Sequence, residues 1–330
     1  MLYLSAHYEN TLLRGCIMTE DTIKTDVQTV KKRRFKITTK DIAPYIFVMP
    51  FLISFTVFLA YPFVHAFILS FQWQGAFAPY PEWVGFDNFI IIWNYPSFNA
   101  ALWNVARYTF WTLLILIPGP MLVAYIVNSK VTKLKTLFRS MYFVPVLTST
   151  IVAGIVFRFM FSSEAGGVFN QIRGFFGMDQ IAWLSHANTA MFALVIIAVW
   201  RWFGVNMIYF LSGLNNISQD LFESADIDGA NGFQKFRFIT APMLKPITIF
   251  VLTISIAAGF SLFNEAYVYW PNLAPPNDVG TTIVLLLYRR AFMMADFNLA
   301  AAMGVVLFLI ILVVNLIQLT IMGLFKKEDR

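Results

Sequence analysis

Two apolar runs of the chain each carry a small group of polar and aromatic residues suited to binding a ligand. The groups are Arg201, Trp202, Asn206 and Tyr209 in the first run, and Ser261, Asn264 and Glu265 at the end of the second. Trp202, Asn206 and Tyr209 share one helix face, because they are spaced by four and then three residues. We expect Ser261, Asn264 and Glu265 to follow one another along a helix as well. A flat indole beside carboxylate, amide and guanidinium groups suits a ligand with apolar C–H faces and a rim of hydroxyls, as in a sugar.

Both groups also have a purely structural interpretation. The aromatic residues suit packing between helices as well as ligand contact. Asn264 and Glu265 suit the outer membrane interface, and Glu265 and Arg201 carry opposite charges that suit a pair. Polar groups inside a bilayer are expensive and usually face a cavity or the bundle interior, so these residues are candidates for the substrate path and both interpretations stay open. His65 and His186 belong to no recognisable constellation, and the sequence predicts neither a catalytic nor a metal site.

The elements that hold these residues follow from composition. Of the 330 residues, 58% are apolar and only 13% are charged, so the chain cannot cover its apolar side chains with its own polar surface. Several apolar runs are as long as the roughly 17–25 residues that cross the hydrocarbon core. We predict an all-α integral membrane protein with six transmembrane helices, over residues 43–70, 105–128, 140–161, 188–213, 246–268 and 298–324. Residues 283–288 are too few to span and predict a short helix at the membrane face.

The distribution of Lys and Arg predicts the orientation of these helices. The N-terminal tail, the 129–139 and 214–245 connections and the C-terminal tail hold 18 of these residues, and the other three connections hold 3. Both termini are therefore expected in the cytoplasm. The chain then divides into a cytoplasmic tail over 1–41, disordered at its start, a membrane domain over 42–325, and a cytoplasmic tail over 326–330. No basic and aromatic pattern points to nucleic acid.

A long polar connection, 214–245, separates the fourth and fifth predicted spans. Ser218 can cap a helix, and acidic residues follow in its first turns, which suits the helix dipole. Gly229 and its neighbours predict a sharp bend, after which a second short helix runs until Pro242 and Pro246 end it. The predicted element is a helix–turn–helix that projects from the membrane. An amphipathic loop lying on the lipid surface is the alternative.

The spacing within this connection resembles the EAA loop of ABC importer permeases, whose pattern is E-A-A, three residues, G, nine residues, I, one residue, L-P. The matching positions are Glu223, Ala225, Gly229, Ile239 and Pro242, while Ser224 and Ala241 depart from the pattern with small side chains. In that family the loop is a coupling helix that docks in a cleft of a separate ATPase subunit. The resemblance therefore assigns coupling to Glu223, Ser224, Ala225, Asp228, Gly229, Ala230, Ile239 and Pro242.

The resemblance extends over roughly residues 41–325. The segments YPFVHAFILSF and EWVGFDNF look like the Y-P…S-F and V-G-x-D-N signatures of the maltose-permease-like branch, and LTSTIVAGIVFR is most similar to arabino-oligosaccharide permeases. Residues 274–277 depart from the branch, because they read APPN where many members carry TGGP. The resemblance implies a type I permease architecture with the sugar between the fourth and fifth spans. The implied contacts lie near Ala198, Trp202, Val205, Ile254, Ala257, Ala258 and Ser261.

These features together predict a non-catalytic, multi-pass permease subunit of the bacterial cytoplasmic membrane that moves an oligosaccharide. The resemblance implies two ATPase subunits, a homologous second permease and an extracytoplasmic solute-binding protein as partners. ATP and Mg would bind the ATPase subunits and no cofactor would bind this chain, which lacks even the Gly-Lys dipeptide of a P-loop. One alternative is an ABC permease for glycerol phosphate or a polyamine. Another is a secondary transporter or channel without an ATPase.

Overall fold

The described residues of the computed structural model are 39–74, 80–129, 132–163 and 166–323. Their regular structure is helical, apart from one short antiparallel hairpin in which β1 (Gln72–Trp73) pairs with β2 (Glu82–Trp83). The predicted tails at the two ends fall almost entirely outside these residues. The order of the tails and the boundaries of the domains therefore remain predictions.

The chain divides into two compact units, Met1–Ala60 and Tyr61–Arg330. In the first unit, the described residues form helix α1 (Thr39–Phe55) and a π-helical turn (Thr56–Ala60). The apolar side chains of α1, such as Phe47, are exposed. A helix that is apolar all round suits a lipid environment, where exposure of such side chains has no cost.

The second unit contains the remaining α-helices. They are α2 (Tyr61–Ser70), α3 (Asp87–Trp93), α4 (Pro96–Leu116), α5 (Pro118–Asn128), α6 (Lys135–Leu147), α7 (Thr150–Met160), α8 (Val168–Phe175), α9 (Ala187–Leu214), α10 (Gln219–Ile227), α11 (Gly232–Lys235), α12 (Ala241–Met243), α13 (Lys245–Phe260), α14 (Asn264–Tyr269), α15 (Ile283–Tyr288) and α16 (Phe297–Ile321). The helix predicted over 283–288 is thus present, and Ile283, Leu285 and Leu286 bury its inner face.

Among the residues that the structure describes, five helical stretches are long and apolar enough to cross a membrane. They are Ala43–Ser70, Pro96–Asn128, Ala187–Leu214, Lys245–Tyr269 and Phe297–Ile321. A sixth span results if the bent pair α6 and α7 crosses the membrane as one unit. The predicted all-α membrane architecture is confirmed, with the second span beginning nine residues earlier than predicted, at Pro96 rather than at residue 105.

The third predicted span, 140–161, is not one straight helix. Helices α6 and α7 meet at an angle of 92°. Thr148 and Ser149 at the junction are extended, with ψ of 137° and 130°, and Pro145 in the last turn of α6 removes one backbone donor. The bend therefore follows from a local break in the helical hydrogen bonds, which apolar composition does not reveal.

Helix α9 lies at the centre of the second unit and packs against α4, α5 and α6. Its buried residues include Ala190, Leu194, Ile197 and Phe210. At Gly204 the helix approaches α6 so closely that a Cβ would overlap the carbonyl oxygen of Tyr142. A glycine is required there, because the overlapping atom belongs to backbone that cannot swing away. Because α9 contacts several helices, its side chains line the interior of the second unit.

Candidate functional site

A cavity of about 500 Å³ lies between α4, α9 and the junction of α13 with α14. The structure places every residue of the two predicted ligand-binding groups in its lining: Arg201, Trp202, Asn206, Tyr209, Ser261, Asn264 and Glu265. Of the positions implied by the family resemblance, all except Ala257 line it as well. The tertiary structure thus brings together two groups that are more than 50 residues apart in the chain.

Trp202 and Arg201 form one wall of the cavity. The Trp202 side chain is 39% exposed, so part of the indole faces open space. The Arg201 guanidinium lies 5.6 Å from the centre of the Trp202 ring, and its Nη1 donates a hydrogen bond to the Thr148 carbonyl oxygen at 3.0 Å. A cation held over an indole in this way stiffens both side chains. The wall therefore combines an apolar face with a fixed set of hydrogen-bond donors.

Asn206 is buried at the floor of the cavity and has a structural partner. Its Nδ2 donates to the carbonyl oxygen of Leu116 at 3.0 Å. In an uninterrupted helix that oxygen would accept from the backbone nitrogen of residue 120, but residue 120 is proline and has no N–H. One of the two Asn206 donors therefore compensates for the break between α4 and α5, and the rest of the amide borders the cavity.

The second ligand-binding group does not lie on a continuous helix, which corrects the expected helical spacing. Helix α13 ends at Phe260, and α14 begins at Asn264. The intervening turn is stabilised from outside, because the Thr282 hydroxyl donates to the Leu262 carbonyl oxygen at 2.7 Å. Irregular backbone at membrane depth is tolerated where it lines a cavity or is buried in protein, and this turn does both.

Glu265 begins the first turn of α14 and is only 8% exposed. The sequence left open an ion pair between Glu265 and Arg201. Within the described residues no such pair forms, and the ion pairs found are Lys235 with Asp226 and Arg290 with Asp296. Arg201 and Glu265 therefore line the same cavity without forming an ion pair with each other.

The lining also includes polar residues that the sequence patterns did not single out. Tyr108 and Thr112 come from α4, and Thr150 comes from the first turn of α7. Tyr108 and Thr112 are spaced by four residues within an apolar run, so they share a helix face. The spacing of Tyr108 and Thr112 could therefore have predicted that α4 also lines the cavity. The bend between α6 and α7 brings Thr150 to the cavity, and no sequence pattern indicates this.

The 214–245 connection forms a compact unit at the other end of α9. The Ser218 hydroxyl caps α10 by accepting from the Asp220 backbone N–H, as predicted. Gly229 follows α10 with φ of +74°, a conformation that favours glycine, and no other atom would contact a Cβ there. Asn231 and Gln234 then form a capping box that starts α11. The predicted helix–bend–helix is present.

The second half of this unit departs from the prediction at Pro242. A π-helical turn (Phe236–Thr240) follows α11 and runs directly into α12, which contains Pro242. Proline lacks a donor and crowds the carbonyl four residues before it. The wider π-turn absorbs both effects, so the helix continues to Met243, and Pro246 stands at the start of α13 instead of ending the helix before it.

The residues assigned to coupling lie mainly on the exposed side of this unit. Glu223 accepts a hydrogen bond from the Gln219 amide at 2.6 Å, and the Ala225 carbonyl oxygen accepts from the Ala230 N–H at 2.9 Å. Two apolar side chains beside them are strongly exposed, Ile227 at 88% and Phe233 at 76%. The set assigned to coupling is Glu223, Ser224, Ala225, Asp228, Gly229, Ala230, Ile239 and Pro242.

The unit is held in place by contacts with α5 and within itself. The Tyr125 hydroxyl donates to the Gly232 carbonyl oxygen at 3.0 Å, and the Tyr125 ring lies 5.3 Å from that of Phe236. Lys235 forms an ion pair with Asp226, which links α11 to α10. These contacts position the unit against the membrane helices and leave the Gly229 bend free.

Comparison with known proteins identifies the family. Residues 117–326 match the model of the family described as binding-protein-dependent transport system inner membrane component. The chain is 47% identical over 289 residues to the arabinooligosaccharides transport system permease protein AraP of Bacillus subtilis (strain 168), covering 88% of this chain and 91% of that protein. It is 31% identical to the lactose transport system permease protein LacF of Rhizobium radiobacter, over 84% and 93% of the two chains.

A solved structure shares the fold. In the crystal structure of a bacterial ABC transporter involved in the import of the acidic polysaccharide alginate, one chain superposes with a TM-score of 0.76 at 23% identity. The match covers 87% of this chain and 97% of that one. Three findings agree. The fold is shared, residues 117–326 match the family, and the chain is 47% identical to a permease over 88% of its length. This chain is a member of the binding-protein-dependent transport system inner membrane component family, the membrane-spanning permeases of ABC importers.

Proposed function

We propose that this chain is the permease subunit through which an ATP-binding-cassette importer moves an oligosaccharide across the cell membrane. The observation that carries the proposal is the cavity that Trp202, Arg201 and Glu265 line together. Its volume of about 500 Å³ lies in the range typical of small-molecule sites, about 300–1,000 Å³. The names of the relatives AraP and LacF, which refer to arabino-oligosaccharides and lactose, support a sugar.

The chemistry of the lining favours a neutral polyhydroxyl ligand. Three residues that carry hydroxyl groups, Tyr108, Thr112 and Ser261, line the cavity together with Trp202. A sugar ring presents apolar C–H groups to the indole and hydroxyls to the polar groups, so each wall has a matching surface. We expect Trp202 to stack on one ring while the charged groups bind its rim.

The charge of the lining argues against the two other solute classes. Glycerol phosphate calls for several cations, and Arg201 is the single Lys or Arg in the described lining. A polyamine calls for several acids, and Glu265 is the single acid there. One basic and one acidic residue suit an uncharged ligand that is bound mainly by hydrogen bonds and stacking.

The 214–245 unit supports coupling to separate ATPase subunits. Its exposed Ile227 and Phe233 suit burial in a cleft of a partner protein. The open space around Gly229 would admit the partner's backbone. We therefore propose two ATPase subunits, which bind ATP and Mg, together with a homologous second permease and an extracytoplasmic solute-binding protein. ATP-driven closure of the ATPase pair would move this unit and turn the cavity between inward- and outward-facing forms.

Transport by the complete complex tests this proposal. The chain would be reconstituted in liposomes with its second permease, ATPase subunits and solute-binding protein, and uptake of labelled arabino-oligosaccharide, glycerol phosphate and putrescine would be measured. We expect ATP-dependent uptake of the oligosaccharide alone. Uptake that persists without ATPase subunits, or that favours either of the other solutes, contradicts the proposal.

A matched pair of glycine variants tests the coupling unit in the same system. Gly229→Asp places charge and bulk where the partner's backbone would approach, and we expect sugar-stimulated ATP hydrolysis to fall to the basal rate. Gly174→Asp in α8 is the control, because that glycine also has no atom within contact distance of a Cβ. Equal stimulation in both variants would show that residues around Gly229 do not couple.

A further inference from the structure

A second cavity, of about 360 Å³, lies between α4 and α9 and is separate from the first. Its lining consists of Arg107, Trp111, Ile115, Asn188, Met191, Phe192 and Val195. None of these residues borders the cavity around Trp202. We call this second cavity the lateral groove.

The lateral groove is polar at one end and apolar along the rest of its length. Arg107, Trp111 and Ile115 are spaced by four residues, so they form one line along α4 that runs from charged to aliphatic. Arg107 Nη2 donates to Asn188 Oδ1 at 3.0 Å, which joins the polar groups of the two helices. Asn188 lies in the first turn of α9, at the end remote from the 214–245 unit.

The charge of Arg107 has no counter-ion within the described part of the chain. Neither ion pair found there includes Arg107, and the described lining of the groove contains no acid. Its guanidinium has five donors, of which the hydrogen bond to Asn188 uses one. A cation at the edge of a membrane span is costly unless an anion or water meets it.

Two tryptophans mark the depth of Arg107 in the membrane. Trp103 and Trp111 lie one helical turn before and after it on α4, and Trp103 is 65% exposed. Tryptophan is enriched where the hydrocarbon core meets the headgroups, because its ring is apolar and its N–H is polar. Arg107 therefore lies between two residues of the type that is enriched at the headgroup level.

We propose that the lateral groove binds a phospholipid of the leaflet opposite the 214–245 unit. The lipid phosphate would accept hydrogen bonds from the free donors of Arg107 and from the Asn188 amide. One acyl chain would lie along Trp111, Ile115, Phe192 and Val195. The charged end meets the phosphate and the aliphatic end meets the hydrocarbon chain, so the groove matches the lipid in both order and polarity.

A sugar does not fit the lateral groove as well as a lipid does. Below Arg107 and Asn188 the described lining offers no hydrogen-bonding group except the Trp111 N–H. Sugar hydroxyls buried there would lack partners, which is unfavourable for each group. The proposal is thus independent of which solute the permease moves.

Photolabelling in a defined bilayer tests the proposal. The complete importer would be reconstituted with phosphatidylglycerol that carries a photoactivatable diazirine in one acyl chain, and labelled peptides would be mapped by mass spectrometry. We expect labelling of the peptides that contain Trp111 to Ile115 and Phe192 to Val195. In Arg107→Gln this labelling should fall by about fivefold, since one basic residue near a membrane surface contributes about 1 kcal/mol.

Two further variants separate lipid binding from folding. Arg107→Lys keeps the charge, so it should restore part of the labelling. Arg158→Gln removes an exposed arginine from the last turn of α7, and the labelling should stay at the parent level. Equal labelling in the parent and Arg107→Gln would overturn the proposal. It would also be overturned if a cysteine at Trp111 formed an efficient cross-link to the second permease, because the partner would then cover the groove.

Discussion

Asn206 illustrates how one polar side chain can serve both architecture and a site. Its hydrogen bond to the Leu116 carbonyl oxygen compensates for the donor that Pro120 lacks, which holds the break in the second span next to the cavity. Trp202, four residues earlier, has no such structural hydrogen bond in the described structure and keeps an exposed indole face. The two residues share a helix face, but only Trp202 is free to serve mainly as a ligand platform.

We predict that Trp202→Ala weakens sugar binding in the cavity by roughly tenfold. Loss of an aromatic platform costs about 0.5–1.5 kcal/mol beyond the lost area, and 1.4 kcal/mol corresponds to a factor of ten. Because the solute-binding protein is expected to capture the sugar first, the effect should appear in the maximal uptake rate rather than in apparent affinity. Trp202→Phe should recover part of the rate.

The neighbouring tryptophan provides the control for this experiment. Trp200 has nearly the same exposure, 38%, but packs against Phe157 and does not line the cavity. Trp200→Ala should therefore leave the uptake rate per assembled complex unchanged. If Trp202→Ala transports at the parent rate, the indole serves only helix packing.

Besides the second span, two further membrane elements are interrupted beside the cavity. The fifth span breaks between Phe260 and Asn264, and the third bends at Thr148 and Ser149. Arg201 from α9 donates to the Thr148 carbonyl oxygen at this bend, so the central helix stabilises the interruption of its neighbour. The close packing of α6 against α9 at Gly204 keeps these elements in register.

We predict that Gly204→Ala destabilises the permease. The added Cβ would overlap the Tyr142 carbonyl oxygen, so α6 and α9 must separate. Overpacking of a well-packed interior typically costs about 1–3 kcal/mol. Thermal unfolding of the detergent-solubilised complex should show a lower midpoint for Gly204→Ala than for the parent. Gly174→Ala, at a helical glycine with open space around it, should leave the midpoint unchanged, and equal midpoints for both variants would contradict the close approach.

The second unit carries different features at the two ends of α9. The 214–245 unit lies at the C-terminal end of α9, and the polar end of the lateral groove lies at its N-terminal end. The proposed ATPase side and the proposed lipid-phosphate contact are thus at opposite ends of one central helix. The count of 18 basic residues against 3 predicts that the 214–245 unit lies in the cytoplasm.

Cysteine labelling of intact cells would test this predicted orientation. In a Cys16→Ser background, which removes the one native cysteine, a cysteine at Asp179 should react with an impermeant thiol reagent. A cysteine at Gln234 should react only after the cells are permeabilised. Both positions are exposed, so burial does not explain a difference between them. The opposite labelling would show that the predicted orientation is wrong and that the 214–245 unit does not face the ATPase subunits.

Several features of this protein follow from residue type and local spacing alone. Long apolar runs can be buried only in lipid, so the membrane spans followed from composition. The Ser218 cap and the bend at Gly229 depend on a few adjacent residues, and the helical spacing of Trp202, Asn206 and Tyr209 gave them a common face. The EAA-like spacing of residues in the 214–245 connection likewise indicated the family.

Other features depend on contacts between distant residues, so they emerge only from the tertiary packing. The α6–α7 bend and the break after Phe260 persist because groups from other helices, Arg201 and Thr282, bind the freed carbonyl oxygens. Those partners are remote in the chain, so the long apolar runs predicted continuous helices there. The same long-range packing brought Tyr108 and Thr150 into the cavity and paired Asn206 with Leu116. Residue type and spacing set which groups were available, and packing set what each one faces.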